Sequence, residues 1–452
     1  MNETRQLAEF ASALRLEDIP PAVLERAKLL LLDHFGVSLF ATRTAWGRIA
    51  TDYAARFSGL PESTIYGHPT KVHAEFAALA NGTFGHGYEL DDSHEGGWCH
   101  PGAPVIPVAF NLAEAHQRGG SDMLLSMVVG YEFMGRIGNA LGAEGIKRHH
   151  PTGQIGVFAA AAAASKVAGA DLNSMLNALG IAGSMASGLL QFADDPEGTM
   201  VKRLHGGWPA HSGVVASRLA SRGLTGPAGV LEGRLGFLRS ITDHFDLSPL
   251  TSDLGGTWEV MRTAVKLYPT CRLLHPMIEA VERMKNKHSI SARNVKAVEV
   301  VSPTKGVDQQ MIYEPKSLMA AQYSLPFAVA WAFCEDSSDL KALNEPTLTD
   351  SAILSLARRV TASANVDFDK AYPRYATRMK VRTMDDREIT EEVWDAKGSS
   401  MKPASADDMT RKFQNMARGL IANPNKLMDE VLSIESKKSL DALSAALRET
   451  PR

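Results

Sequence analysis

The chain has 452 residues, with 48 lysines and arginines against 51 acidic residues for a net charge of −3. That balance excludes a general nucleic-acid binder, which needs a basic surplus or stripe. Its apolar fraction of 44% and charged fraction of 22% are those of an ordinary globular protein. Three cysteines, Cys99, Cys271 and Cys334, are too few and too irregularly spaced for a disulfide framework or a zinc ribbon.

The N-terminal stretch carries acids early and has no signal-peptide core, so the expected address is cytoplasmic. Pro20-Pro21 followed by AVLERAKLLLLDHFGVSLFA predicts a buried helix with a proline start. Ala103–His116 and Ser121–Leu141 follow as helices, the second expected to be capped by Ser121 and Asp122. Gln154–Lys166 contains six consecutive alanines, which favour helix and allow close helix packing. Asp171 is placed as the cap of the next helix. The uncharged run Leu172–Ala193 is long enough to span a bilayer, but its polar residues and glycines favour a buried helix. Gly223–Gly236 reads as loop with short helix.

Near residue 265 the pattern changes. VKAVEVVS at Val295–Ser302 reads as a strand, and Ala376–Trp394 as a hairpin turning at Asp385-Asp386. Ser317–Phe333 between them is expected to be helical, and residues 404–447 return to amphipathic helix. The expected fold is mainly α: a large all-helical domain of residues 1–264, rejoined by 400–452, with a smaller α+β lid domain of 265–399.

Four clusters hold the reactive side chains. Residues His86–Gly102 bring His86, Glu89, Asp91, Asp92, His94, Glu95, Cys99 and His100 into one Gly- and Pro-containing stretch between apolar helices. Such a loop can place acid and imidazole together. It reads equally as an exposed polar loop, and a metal site is a third reading, although no standard zinc spacing is present. Lys147–Gly156 sets His149 and His150 before Pro151, where a helix N-terminus can attract an anion; surface histidines are the plain alternative. Gly198–Gly213 offers Lys202, Arg203, His205 and His211 beside Gly206-Gly207, where backbone can approach a ligand; a solvated basic turn is the alternative. Lys266–Ala280 carries Lys266, Cys271, Arg272 and His275 at the junction between the two regions, where pockets tend to form.

Neither a dinucleotide fingerprint, a phosphate-binding P-loop, a serine-hydrolase elbow nor a kinase motif set is present. Histidine, acid and lysine chemistry without an obvious cofactor suits proton abstraction or elimination on an anionic substrate.

The clusters occur within LLLLDHFGVSLFA, NGTFGHGYELDDSH, CHPGAPVIPVAFNLAEA, HHPTGQIGVFAAAAAASK, VKRLHGGWPAHSG, KLYPTCRLLHP and AAQYSLPFAVAWAF. On these seven stretches, from about Leu7 to about Gly419, the chain resembles the MmgE/PrpD family. That family includes 2-methylcitrate dehydratase, cis-aconitate decarboxylase and iminodisuccinate epimerase. The resemblance implies a helical domain with an α+β lid, a homodimer, no cofactor and no metal. Its implied partner is a small carboxylate substrate, with neither nucleic acid nor membrane. It further implies catalytic roles for Asp91, Asp92, His100, His150, Lys202 and Tyr323, and substrate binding by Lys266, His205, Cys271 and His275. Cys271 stands where cis-aconitate decarboxylases carry a histidine just after the proline, and the nearest imidazole is His275. The expected activity is removal of a proton alpha to a carboxylate of a di- or tricarboxylic acid, as in a 2-methylcitrate dehydratase-like lyase. An epimerase is the alternative inside the family, and a non-catalytic binding protein the alternative outside enzymes.

Overall fold

The computed structural model describes residues 2–193, 195 and 199–448; Met1, residues 194 and 196–198, including Gly198 of the basic cluster, and the last four residues lie outside that description. The chain is mainly α.

Helix Pro21–Ala41 begins on Pro21 as read, with apolar residues buried on all sides. Around it pack Ala74–Gly85, Gly102–Ala115, Gly120–Leu141, Pro151–Val167 and Val201–Ala220. All six alanines 159–164 are fully buried. Small side chains let helices close in: a Cβ on Gly213 would stand 2.4 Å from Ala160 Cβ. Asp171 caps the Leu172–Gly183 helix by accepting from Ser174 N. Two local expectations are corrected. The Gly120–Leu141 helix starts one residue early on Gly119, whose missing side chain makes no cap bond; Gly120 is pressed on Ile434 O, where a Cβ would stand 1.9 Å away. The run from Leu172 is not one helix: it ends at Gly183 and resumes as a short 3-10 turn at Leu190–Ala193. No helix among the described residues is long and apolar enough to cross a membrane.

A second apolar cluster gathers around a four-stranded sheet in the order Val360–Ala364, Val295–Ser302, Thr377–Thr383, Glu388–Val393. The last three pair antiparallel, and the hairpin turns at Asp385-Asp386 as read. Val360–Ala364, which sequence reading left out, pairs parallel with Val295–Ser302. Parallel pairing requires a long crossover, and this one supplies the far wall of the site. Within it the expected helix Ser317–Phe333 is two helices, Leu318–Gln322 and Leu325–Cys334, with Tyr323 at the break and Ser324 capping the second. The Ala406–Ala417 helix returns to pack on Pro21–Ala41, where Lys412 pairs with buried Asp33 at 2.7 Å and donates to Leu90 O at 2.6 Å. That pair fixes the backbone just before Asp91.

Candidate active site

Two helices set the geometry. Gly82 of Ala74–Gly85 meets Gly206 and Gly207 of Val201–Ala220; a Cβ on Gly207 would lie 2.2 Å from Leu79 O. The glycine pair therefore serves helix contact rather than approach to a ligand, and the expected turn is helix. The close crossing brings Lys202, Arg203 and His205 against the loop that follows Gly85.

In that loop Glu89 adopts a left-handed backbone (φ 55°), an unfavourable conformation for a non-glycine residue. Its fully buried carboxylate binds three cations: Lys202, Arg203 Nη1 at 2.7 Å and Lys266 Nζ at 2.9 Å. Burial alone would raise its pKa, but Lys202, Lys266 and Arg203 hold it well below the carboxylate range. Lys202 also donates to the Tyr323 hydroxyl oxygen at 2.6 Å. Burial pushes the Lys202 ammonium down to about 8 against the pull of Glu89. Lys266 is lowered by burial but raised further by Asp91 and Glu89, and stays charged. Tyr323 is pushed well up, by burial first and Glu89 second, and stays protonated.

Asp91 is the hub of the imidazoles. Its Oδ2 lies 2.6 Å from His86 Nδ1 and 3.1 Å from His100 Nδ1, and its Oδ1 accepts from Lys266 at 3.2 Å. Burial would raise Asp91, but His100, Lys266 and His86 hold it well below its usual range. His100 Nδ1 also donates to Asp92 O at 2.7 Å, which leaves Nε2 as its basic nitrogen. His150 is the N-cap residue of Pro151–Val167, and its Nδ1 lies 3.0 Å from His205 Nδ1. Burial lowers three of these imidazoles, His150 well down, His86 to about 3 and His205 to about 4. They are neutral near pH 7.

One cavity joins these groups. Its walls include Glu89, His100, His150, Lys266, Cys271, Arg272 and Tyr323. Of the residues expected from sequence, His100, His150, Lys266, Cys271 and Tyr323 line it. Lys202, Asp91 and His205 stand behind that layer as partners of Tyr323, His100 and His150. Asp92 turns away: it accepts from Tyr131 Oη at 2.5 Å and from Gly102 N, and burial pushes it up to about 7. His275 is fully buried against Tyr268, with ring centroids 5.1 Å apart, and does not line the cavity. Lys305, Gln310 and Tyr375 line it without having been singled out. A lysine, a glutamine and a tyrosine scattered over 70 residues leave no local signal; only the parallel crossover and its sheet assemble them.

His86, Asp91 and His100 also present atoms within 4.8 Å of one another, close enough to hold a cation. Asp91 is already shared by two imidazoles, on Oδ2, and Lys266, on Oδ1, so its charge is engaged within the protein. His94 and Cys99, of the same loop, are structural. His94 Nε2 bonds Glu259 at 2.6 Å, and Cys99 is buried with its thiol pushed well up by burial.

Comparison with known proteins agrees along the whole chain. It is 28% identical over 467 residues to cis-aconitate decarboxylase of Aspergillus terreus, covering 97% of this chain and 94% of that protein. The cis-aconitate decarboxylases of Mus musculus and Homo sapiens are each 26% identical, covering 98% of this chain and 93% and 94% of theirs. Residues 5–250 match the MmgE/PrpD N-terminal domain and residues 268–436 the MmgE/PrpD C-terminal domain, and the chain belongs to the MmgE/PrpD family.

Proposed function

We propose that the protein is a cofactor-free lyase that transfers a proton at a carbon next to a carboxylate of a small di- or tricarboxylic acid. The observation that carries this reading is the Lys202–Tyr323 pair: Lys202 donates to the Tyr323 oxygen, so the tyrosine's own O–H is left to face the cavity that His100 and His150 also line. Tyr323 is the proton donor, and Lys202 stabilises the phenolate that forms. His100 and His150 are the proton acceptors, with Asp91 and His205 fixing their orientation. Lys266 offsets the negative charge that develops on the substrate.

The same set serves two lyase outcomes. In decarboxylation the C–C bond to a carboxylate breaks, carbon dioxide leaves, and its electron pair passes to a carbon next to another carboxylate, where Tyr323 delivers a proton. In dehydration an imidazole removes the alpha proton and the neighbouring carbon loses its hydroxyl as water with the Tyr323 proton. The relatives are cis-aconitate decarboxylases, which favours decarboxylation. The dehydratase expected from sequence is the second reading; Cys271 does not favour it, because the resemblance implies a histidine near that proline in dehydratases as well as decarboxylases. An epimerase needs donors on both faces of one carbon; Tyr323 and the imidazoles offer two kinds.

The reading extends to a helical body of residues 1–264 and 400–452 under a lid of 265–399, supported by two separate apolar clusters. It extends also to a homodimer, supported by exposed Val201, Leu204 and Trp208 along one helix face. Turnover assays with cis-aconitate, 2-methylcitrate and iminodisuccinate test the function. Tyr323→Phe and His150→Ala should each slow turnover; wild-type rates in both would refute the assigned roles.

A further inference from the structure

The cations nearest the imidazoles are already engaged. Lys202, Lys266 and Arg203 share Glu89, and Lys266 also binds Asp91. Two further cations line the cavity on another wall, built by the turn after Pro269 and the start of the crossover, and neither pairs with Glu89 or Asp91.

There Arg272 uses Nε on Glu95 Oε1 at 3.2 Å, while its Nη1 is buried without a hydrogen-bond partner among the described residues. The side chain is only 7% exposed and lines the cavity. An unpaired guanidinium N–H at that depth is costly unless a ligand or solvent oxygen meets it. Lys305, on the Thr304–Gln309 helix, also lines the cavity. No described carboxylate lies within ion-pairing distance of it, and its Nζ rests 4.6 Å above the Trp98 ring. Gln310 Oε1, on the same wall, is likewise buried without a partner among the described residues. Glu89 and Asp195 are the acids among the described lining residues, and Glu89 is neutralised as described.

We propose that Lys305 and Arg272 form an anion subsite that binds a substrate carboxylate remote from the reacting carbon, and so select polycarboxylates over monocarboxylates. This rests on the reading of the cavity as a carboxylate-processing site. A carboxylate seated there pairs with both cations, one oxygen on Arg272 Nη1, and draws Lys305 away from Trp98. The reacting end of the substrate is then directed toward His100, His150 and Tyr323.

Calorimetric titration of the full chain with tricarballylate, a saturated tricarboxylate, tests the subsite, alongside turnover of cis-aconitate. Lys305→Met and Arg272→Gln should each weaken tricarballylate binding about 10-fold or more, the loss of one charge-assisted pair. Lys305→Arg should restore most of it, which a purely structural role for Lys305 would not produce. With a substrate that turns over, KM should rise by more than kcat falls. Tight tricarballylate binding by both Lys305→Met and Arg272→Gln, or none by the wild type, overturns the subsite even where wild type turns over cis-aconitate. A Lys305-dependent affinity in a protein that turns over none of the carboxylates keeps the subsite and overturns the proposed function instead.

Discussion

Lys202 Nζ lies 2.6 Å from the Tyr323 hydroxyl oxygen, across the division between the helical body and the crossover of the sheet. In the proposed reaction neither residue serves alone: the lysine is too deeply buried to line the cavity, and the tyrosine, pushed far up by burial, needs a cation beside it to release a proton.

The pair should set the alkaline limit of the rate. Lys202 is charged below pH about 8 and loses its proton above it. Catalysis should therefore hold up to that pH and fall as pH rises through it. Tyr323→Phe should cost ~10²-fold or more in kcat, the usual share of a positioned proton donor. A kcat profile flat from pH 7 to well above 9 would contradict the role given to Lys202.

Asp91 orients His86 and His100 at once. Asp91→Asn should lower kcat by at least ~10-fold with little change in KM, because it misplaces the imidazoles without touching substrate. Steady-state kinetics separates the two parameters. Dialysis against a chelator should leave the wild-type rate unchanged, since the proposed reaction uses only the chain's own side chains; loss of activity restored by zinc would put a metal among His86, Asp91 and His100.

Glu89 is the counter-charge for three buried cations. Glu89→Ala leaves them facing one another, and should destabilise the fold by about 3–5 kcal/mol, as breaking a buried ion pair does. Urea unfolding would register this as a lower midpoint, whereas an unchanged midpoint would mean that water already shares the charge.

Gly207→Ala tests the helix crossing. The added methyl would stand 2.2 Å from Leu79 O, against backbone that cannot swing aside. A loss of about 1–3 kcal/mol is expected, as for other overpacked cores. Turnover should also fall, because the same crossing delivers Lys202 and His205.

Periodicity and caps were enough to locate most of the long helices, the Val295–Ser302 strand and the hairpin at Asp385-Asp386, because those features are local. The strand Val360–Ala364 escaped: VTASA is short, and its residues past Val360 are mostly exposed, so no alternation marks it. Gly206-Gly207 read as a ligand approach in the sequence because sequence shows that a glycine is small but not what it faces. The His86–His100 loop was legible by density alone. The division of labour within it, with Asp91 toward the imidazoles and Asp92 toward Tyr131, depends on side-chain directions that only the packed fold decides. Lys305 and Tyr375 became site residues only through long-range sheet topology.

Proton NMR of cis-aconitate incubated with the protein in D2O tests the proton-transfer assignment most directly. Release of carbon dioxide with one solvent deuterium at the carbon next to a remaining carboxylate is the expected result, and Tyr323→Phe should slow it. Product formed without solvent deuterium at that carbon, or no turnover of cis-aconitate, 2-methylcitrate or iminodisuccinate, would contradict it.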